Sequence, residues 1–207
     1  MRLAYDHKIS DLKYKIPGLL PKGSCQKLIS IFDKYPELTG GEISYKYSGG
    51  EEGHQADNFS CLNLSRIKNP NEDILTGLTI ASRYISIITA NYVAHIRARG
   101  ISPTFNDHLI NVSTNIRILK YEVGQYIKDH TDVDYQVRGS CTLNLNEDYE
   151  GGSLTFFNGQ IKENLKTGDA ILFPAEPIWI HGTEPVTKGA RYAINCFLHN
   201  ITNFKST

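Results

Sequence analysis

Neither sign of charge is in excess. Lysine plus arginine number 22 against 22 for aspartate plus glutamate, so no overall field draws the chain to nucleic acid or a membrane surface, and only a local basic groove is left open. Paired cysteines are absent too. Cys25, Cys61, Cys141 and Cys196 are scattered and form no Cys-x-x-Cys unit, which argues against a zinc knuckle or a redox dithiol and for small core residues in a reducing cytosol. The most apolar long stretch, residues 74–96, contains Arg83, Asn91 and His95 and fails as a membrane span. Met1 to Ser10 is polar and shows no apolar signal region. There is no internal repeat and no low-complexity tract. What is present, 207 residues with 40% hydrophobic and 21% charged content, is enough for one globular domain with a full core, expected to be cytoplasmic.

The first half reads as helical. An apolar patch at Ile16-Pro17-Gly18-Leu19-Leu20 suggests a strand reaching a turn. Ser24 then offers a cap for a short amphipathic helix with Cys25, Leu28, Ile29 and Phe32 on one face, stopped by Pro36. Residues 40–54 are rich in glycine and charge, and Ser48-Gly49-Gly50-Glu51-Glu52-Gly53 is expected to be a surface loop. A long helix opens near Asn69-Pro70-Asn71. Its apolar stripe runs Ile74, Leu78, Ala81, Ile85, Ile88, Tyr92, Ile96, and Arg97, Arg99 and Gly100 close it. His95, near that end, reads as a surface or capping histidine and not as a ligand.

After Pro103 segments shorten and β-branched and aromatic residues rise. Strands are expected at 115–121, 126–130, 137–144, 153–157, 170–173, 178–181 and 192–198, with turns at 146–152, at Asn158-Gly159 and at Thr167-Gly168-Asp169. Many short strands at this spacing fit a jelly roll. Within them lies His130-Thr131-Asp132. On an extended strand the two outer side chains point the same way, so both can reach one metal, and His181 is the best candidate for a third ligand. Two histidines and a carboxylate with open positions opposite make the facial triad used for non-haem Fe(II). An isolated His-x-Asp is also common by chance. Arg191 opens the last strand, and on its own it fits a rim salt bridge as well as it fits the clamp of a buried anionic ligand.

Taken together the motifs are more specific than any one. Tyr121-Glu122-Val123-Gly124-Gln125-Tyr126, His130-Thr131-Asp132, Glu150-Gly151-Gly152-Ser153-Leu154-Thr155-Phe156, Gly168-Asp169-Ala170-Ile171-Leu172-Phe173-Pro174, His181 and Arg191 follow one another in order. Over residues 115–198 this resembles the 2-oxoglutarate- and Fe(II)-dependent dioxygenases, in their prolyl 4-hydroxylase-like branch. The stretch 19–35 is similar to that branch's N-terminal helix.

The resemblance implies an α+β fold, a double-stranded β-helix (jelly roll) core with N-terminal helices packed on one sheet. It implies one domain over 1–207, mainly helical in 1–110, with the core in 111–200. It implies that His130, Asp132 and His181 bind Fe(II), that Arg191 pairs with the distal carboxylate of 2-oxoglutarate, and that Tyr121 and Asn144 line the co-substrate pocket. The resemblance also implies O2 as the oxidant, ascorbate as an accessory reductant, and succinate, CO2 and a hydroxylated C–H bond as products. Since ligation needs neutral imidazoles, activity is expected to fall as the histidines protonate in mild acid. Gly151 and Gly152 are expected to permit a tight turn. One departure stands out: Tyr126 lies four residues before His130, where relatives place an aromatic at three, which leaves Tyr126 without a role.

The substrate class stays open. A prolyl or other residue of a peptide or protein is the first expectation, with loop 48–53 as a lid. A free amino acid or small metabolite is the second. Nucleic-acid bases are disfavoured, because the position six residues after Arg191 is Phe197 and not a second arginine, and because net charge is zero. A binding module that kept the fold and lost the chemistry is a different class, set against by the presence of all three ligands and Arg191. Tyr135, Arg138 and Trp179 are candidates for the pocket rim, Trp179 being equally a core residue. Oligomeric state is not readable.

Overall fold

Period-two alternation along the long strands decides what packs where. The computed structural model describes residues 8–41, 59–100, 110, 112–133 and 136–199. Within them the elements run β1 (Tyr14–Ile16), α1 (Lys22–Lys34), β2 (Gly40–Gly41), β3 (Ser60–Asn63), α2 (Glu72–Ala98), β4 (Val112–Tyr121), β5 (Val137–Asn144), β6 (Glu150–Gly151), β7 (Leu154–Phe156), β8 (Ile161–Glu163), β9 (Ala170–Pro174), β10 (His181–Thr183), β11 (Val186–Lys188) and β12 (Arg191–His199). A seven-stranded sheet has the order β1-β9-β5-β12-β4-β3-β2, beside a three-stranded sheet β10-β7-β8 and the pair β11-β6. Every pairing among them is antiparallel.

One face of the large sheet belongs to the helices. Ile116 and Ile118 of β4, Cys141 and Leu143 of β5, Ala170 and Leu172 of β9, and Ile194, Cys196 and Leu198 of β12 join one buried cluster. Leu28 and Ile31 of α1 and Ile74, Ile85, Ile88 and Ile96 of α2 belong to it as well. At roughly 1.5–3 kcal/mol for each large aliphatic side chain fully buried, the α2 stripe is the main tether of that helix. Three of the four cysteines are buried in this cluster, and none of the four forms a disulfide among the described residues. The opposite parity, Arg117, Leu119 and Tyr121 on β4, Ser140, Thr142 and Asn144 on β5, Ile171 and Phe173 on β9, and Arg191, Ala193, Asn195 and Phe197 on β12, faces away from the helices. Part of it packs with Phe156, Leu154 and Trp179 in a second cluster, and part with Phe59 and Val186 in a third.

The stretch Asn69-Pro70-Asn71 does open α2, with Asn71 as the cap, its Oδ1 accepting from the Ile74 N–H at 3.0 Å. Several expectations are corrected. Ser24 lies inside α1 and caps nothing, since that helix starts at Lys22 after Pro21. Residues 126–130 form no strand; only His130 makes an isolated bridge. His181 begins a strand where it was expected to end one, because Trp179 N–H closes a turn on Glu176 O at 2.8 Å. Three short strands from the N-terminal half, β1, β2 and β3, extend the large sheet at both edges. The expected turn at Asn158-Gly159 does join β7 to β8, both residues having positive φ. No described helix is long and apolar enough to cross a membrane.

Candidate metal centre

The two histidines meet through backbone pairing. His130 N–H donates to His181 O, and His181 N–H to His130 O, each at 2.9 Å. This bridge places residues 51 positions apart with ring centroids 4.4 Å from each other. The close approach depends on Gly182. A Cβ there would stand 2.7 Å from Asp129 Oδ1 and 2.8 Å from Ile127 O, so only glycine lets the 127–130 segment lie against β10.

Asp132 completes the group. Its Oδ1 is 3.3 Å from His130 Nε2 and its Oδ2 is 3.2 Å from His181 Nε2, and one donor atom from each of the three residues lies within 4.8 Å of the others. Both imidazoles are oriented from behind. His130 Nδ1 bonds Lys128 O at 2.7 Å and His181 Nδ1 bonds Trp179 O at 3.0 Å. A carbonyl oxygen only accepts, so each Nδ1 carries the proton and each Nε2 is the atom left to hold a cation. The donor set therefore fits a divalent transition metal. Phe173 and Phe156 wall the His181 ring at 4.7 and 6.3 Å.

The charges reinforce one another. Burial alone would raise the Asp132 carboxyl, but the two histidines hold it well below the ordinary carboxylate range. Burial alone would lower His130; the hydrogen bond and attraction of Asp132 outweigh this and raise it. Ser140 on β5, which sequence reasoning missed, donates its hydroxyl to Asp132 Oδ2. A serine eight residues downstream carries no local motif, so no sequence signal pointed to it.

Arg191 and Tyr121 stand opposite each other across β12 and β4. The guanidinium is 2% exposed and lies 5.3 Å from the Tyr121 ring centroid. Among the described residues no carboxylate pairs with it, and a buried cation in that position calls for an anion. Gly152, with φ +64°, makes room: a Cβ there would press on Arg191 Cδ at 3.1 Å. Asn144 Oδ1 accepts from Arg191 Nε at 3.2 Å and from Tyr149 OH at 3.3 Å, while its Nδ2 donates to Asn146 O at 2.6 Å and Leu165 O at 3.0 Å. Its capacity is thus spent inside the protein, so it faces Arg191 and has no polar atom to spare for a ligand.

The other candidates lie elsewhere. Trp179 is buried among Phe156, Phe157 and Phe173 and is a core residue. Arg138 is exposed, donating to Val137 O at 3.3 Å, and Tyr126 is half-buried outside any strand. His95 is tied to Asp11 O at 3.0 Å and to the Tyr14 ring, away from the triad. Tyr135 and loop 48–53 lie outside the described residues.

Residues 116–199 match the model of the 2OG-Fe(II) oxygenase superfamily. A PKHD-type hydroxylase of Xylella fastidiosa (strain M23) is 31% identical over 110 residues, covering 49% of this chain and 46% of that protein. The chain thus spans less than half the length of that relative. One from Aliarcobacter butzleri (strain RM4018) is 28% identical over 194 residues, 85% of this chain and 73% of that one. Two solved structures share the fold. A prolyl hydroxylase from Trichoplax adhaerens, in complex with a peptide fragment of the hypoxia inducible factor oxygen degradation domain, has a TM-score of 0.67 at 13% identity, over 92% of this chain and 84% of that one. A Pseudomonas putida prolyl-4-hydroxylase has a TM-score of 0.63 at 14% identity, over 93% and 97%.

Proposed function

We propose that this chain, whose residues 116–199 match the model of the 2OG-Fe(II) oxygenase superfamily, belongs to that superfamily and is an Fe(II)- and 2-oxoglutarate-dependent hydroxylase acting on a prolyl or other residue of a peptide or protein. The observation that carries the reading is the convergence of His130, Asp132 and His181 on one point, on the same side of the large sheet as a buried Arg191 that lacks a carboxylate partner among the described residues.

In this reading His130, Asp132 and His181 hold Fe(II). The bound metal, with 2-oxoglutarate and O2, supplies oxidative decarboxylation to succinate and CO2 coupled to hydroxylation of a C–H bond. The chain's own residues do the positioning. The Nδ1 hydrogen bonds to Lys128 O and Trp179 O keep both Nε2 atoms free of protons at the metal. Arg191 binds the distal carboxylate of 2-oxoglutarate as a bidentate fork. Asn144 holds that fork in place from behind, Tyr121 supports it by its ring face, and Phe173 and Phe156 keep water from the His181 side. The large sheet and the smaller sheets are read as the walls of a double-stranded β-helix within a single dioxygenase domain, with the helices on its outer face. The opposed parities of the buried clusters support this.

The preference for a peptide or protein rests on the likeness to PKHD-type and prolyl hydroxylases. Anaerobic titration with Fe(II) and 2-oxoglutarate tests the chemistry: a visible charge-transfer band is expected, followed by slow succinate release in air, and mass spectrometry of candidate peptides should find one added oxygen. Asp132→Ala should abolish iron-dependent succinate release while far-ultraviolet circular dichroism stays unchanged. Full turnover in that variant removes the facial-triad reading, and absence of band and succinate in the wild type favours a non-catalytic binding module.

A further inference from the structure

Three arginines of the described strands share the face that carries the triad: Arg117 on β4, Arg138 on β5 and Arg191 on β12. Arg191 and Arg117 are buried, the first held by Asn144 and the second donating to Asn195 Oδ1 beside the Phe197 ring. Arg138 differs. It is exposed, and its guanidinium donates from Nη1 to the adjoining Val137 O at 3.3 Å. Among the described residues no carboxylate pairs with it, Glu176 included, although that residue directly follows Ala175, whose N–H bonds Arg138 O.

Alternation sets its place. Arg138 stands two residues before Ser140 on β5, on the same face and about 7 Å along the strand, and Ser140 is the residue whose hydroxyl bonds Asp132. Gly139 between them has the opposite parity: a Cβ there would meet Leu172 and Leu198 of the helix-side cluster. The triad opens past His130, whose side chain is 32% exposed against 7% for Asp132 and His181. Val133, next to Asp132, and Ile178, three residues before His181, are large apolar side chains that stay exposed. Apolar surface and one guanidinium without a counter-charge thus border the metal centre.

We propose that Arg138 binds an acidic side chain of the substrate, one that flanks the hydroxylated residue, so that acidic peptide segments are preferred. The inference deepens the hydroxylase reading above and rests on it. An extended peptide advances about 3.3 Å per residue, so an acidic residue one or two places from the reacting one reaches Arg138 while the reacting residue lies at the triad. Val133 and Ile178 offer apolar contact to the chain beside it. The planar guanidinium takes a carboxylate through two parallel hydrogen bonds, which a lysine in its place could not reproduce. Because the contact is exposed, it is modest in strength and screened by salt.

Blocked peptide libraries, randomised at the central residue and flanked on both sides by Glu, Gln or Lys, test this as stimulants of succinate release by the Fe(II)- and 2-oxoglutarate-loaded protein. At low ionic strength the Glu library is expected to exceed the Gln library about fivefold in kcat/KM, the upper range for one exposed ion pair. The difference should lie in KM and shrink toward one at high salt. Arg138→Gln should bring the ratio to about one, Arg138→Lys should keep part of it, and Arg138→Glu should move the preference to the Lys library. All three variants should melt within a few degrees of wild type, since the side chain is exposed. A wild type stimulated alike by all three libraries, or by none, overturns the inference, as does an Arg138→Gln variant that keeps the ratio. Those outcomes leave the hydroxylase reading standing where the charge-transfer band and slow succinate release are seen. Where the wild type gives neither, that reading has failed and takes this inference with it.

Discussion

The Ser140 hydroxyl donates to Asp132 Oδ2, the oxygen that also faces His181 Nε2. Ser140 is fully buried, so no water replaces it if the hydroxyl is lost. Outer hydrogen bonds of this kind orient a metal-binding carboxylate. Ser140→Ala should weaken Fe(II) or Co(II) affinity by about tenfold or more, with the metal-free protein melting within a few degrees of wild type. Ser140→Thr should restore affinity, and Co(II) absorption titration reads both.

Arg191 and Asn144 should separate as binder and support. Arg191→Gln is expected to raise the KM for 2-oxoglutarate by a factor on the order of ten to a hundred, the worth of a lost charge-assisted pair. Asn144→Ala should raise it less and also destabilise the fold, since Asn146 O, Leu165 O and Tyr149 OH lose their partner. Steady-state kinetics and urea unfolding on both variants check the split. An Asn144 variant that loses 2-oxoglutarate binding at full stability means the amide touches the co-substrate directly.

Gly182→Ala should damage the metal site while sparing the sheet. The added methyl would meet Ile127 O and Asp129 Oδ1, pushing the His130 segment off β10. Overpacking of this kind costs roughly 1–3 kcal/mol, so metal affinity is expected to fall about tenfold with a smaller change in melting temperature. Isothermal titration with Co(II) or Zn(II) measures it.

Asp169 makes a pH prediction about the fold. Its Oδ1 accepts from Gly18 N–H at 3.0 Å and its Oδ2 from Lys166 N–H at 3.1 Å, with Lys15 Nζ 3.1 Å from Oδ2. Burial would raise this carboxyl, but the two backbone N–H groups and Lys15 outweigh it and lower it. A depressed folded pKa contributes stability that is present above the unfolded value, about 3.9, and lost as pH falls through the folded value. Asp169→Asn should cost about 1.5–3 kcal/mol at pH 7. The gap to wild type should narrow once the pH drops below the carboxylate range, as followed by urea unfolding at both pH values.

The sequence by itself determined the elements whose signals are local. The stripe of α2, the exact span of β5 from Val137 to Asn144, the Asn158-Gly159 turn and the order of His130, Asp132, His181 and Arg191 all rest on near neighbours, on periodicity or on motif spacing. Tertiary structure alone decided what crosses strands. The His130–His181 bridge depends on a missing Cβ at Gly182, and the contact of Ser140 with Asp132 on where the chain after His130 rejoins the sheet. The turning of Asn144 toward Arg191 and the placing of Arg117 beside Phe197 depend on the pairing of β4, β5 and β12. A strand carries its alternation in its own residues, but its register is set by which partner it buries its other face against, and no local pattern records that choice.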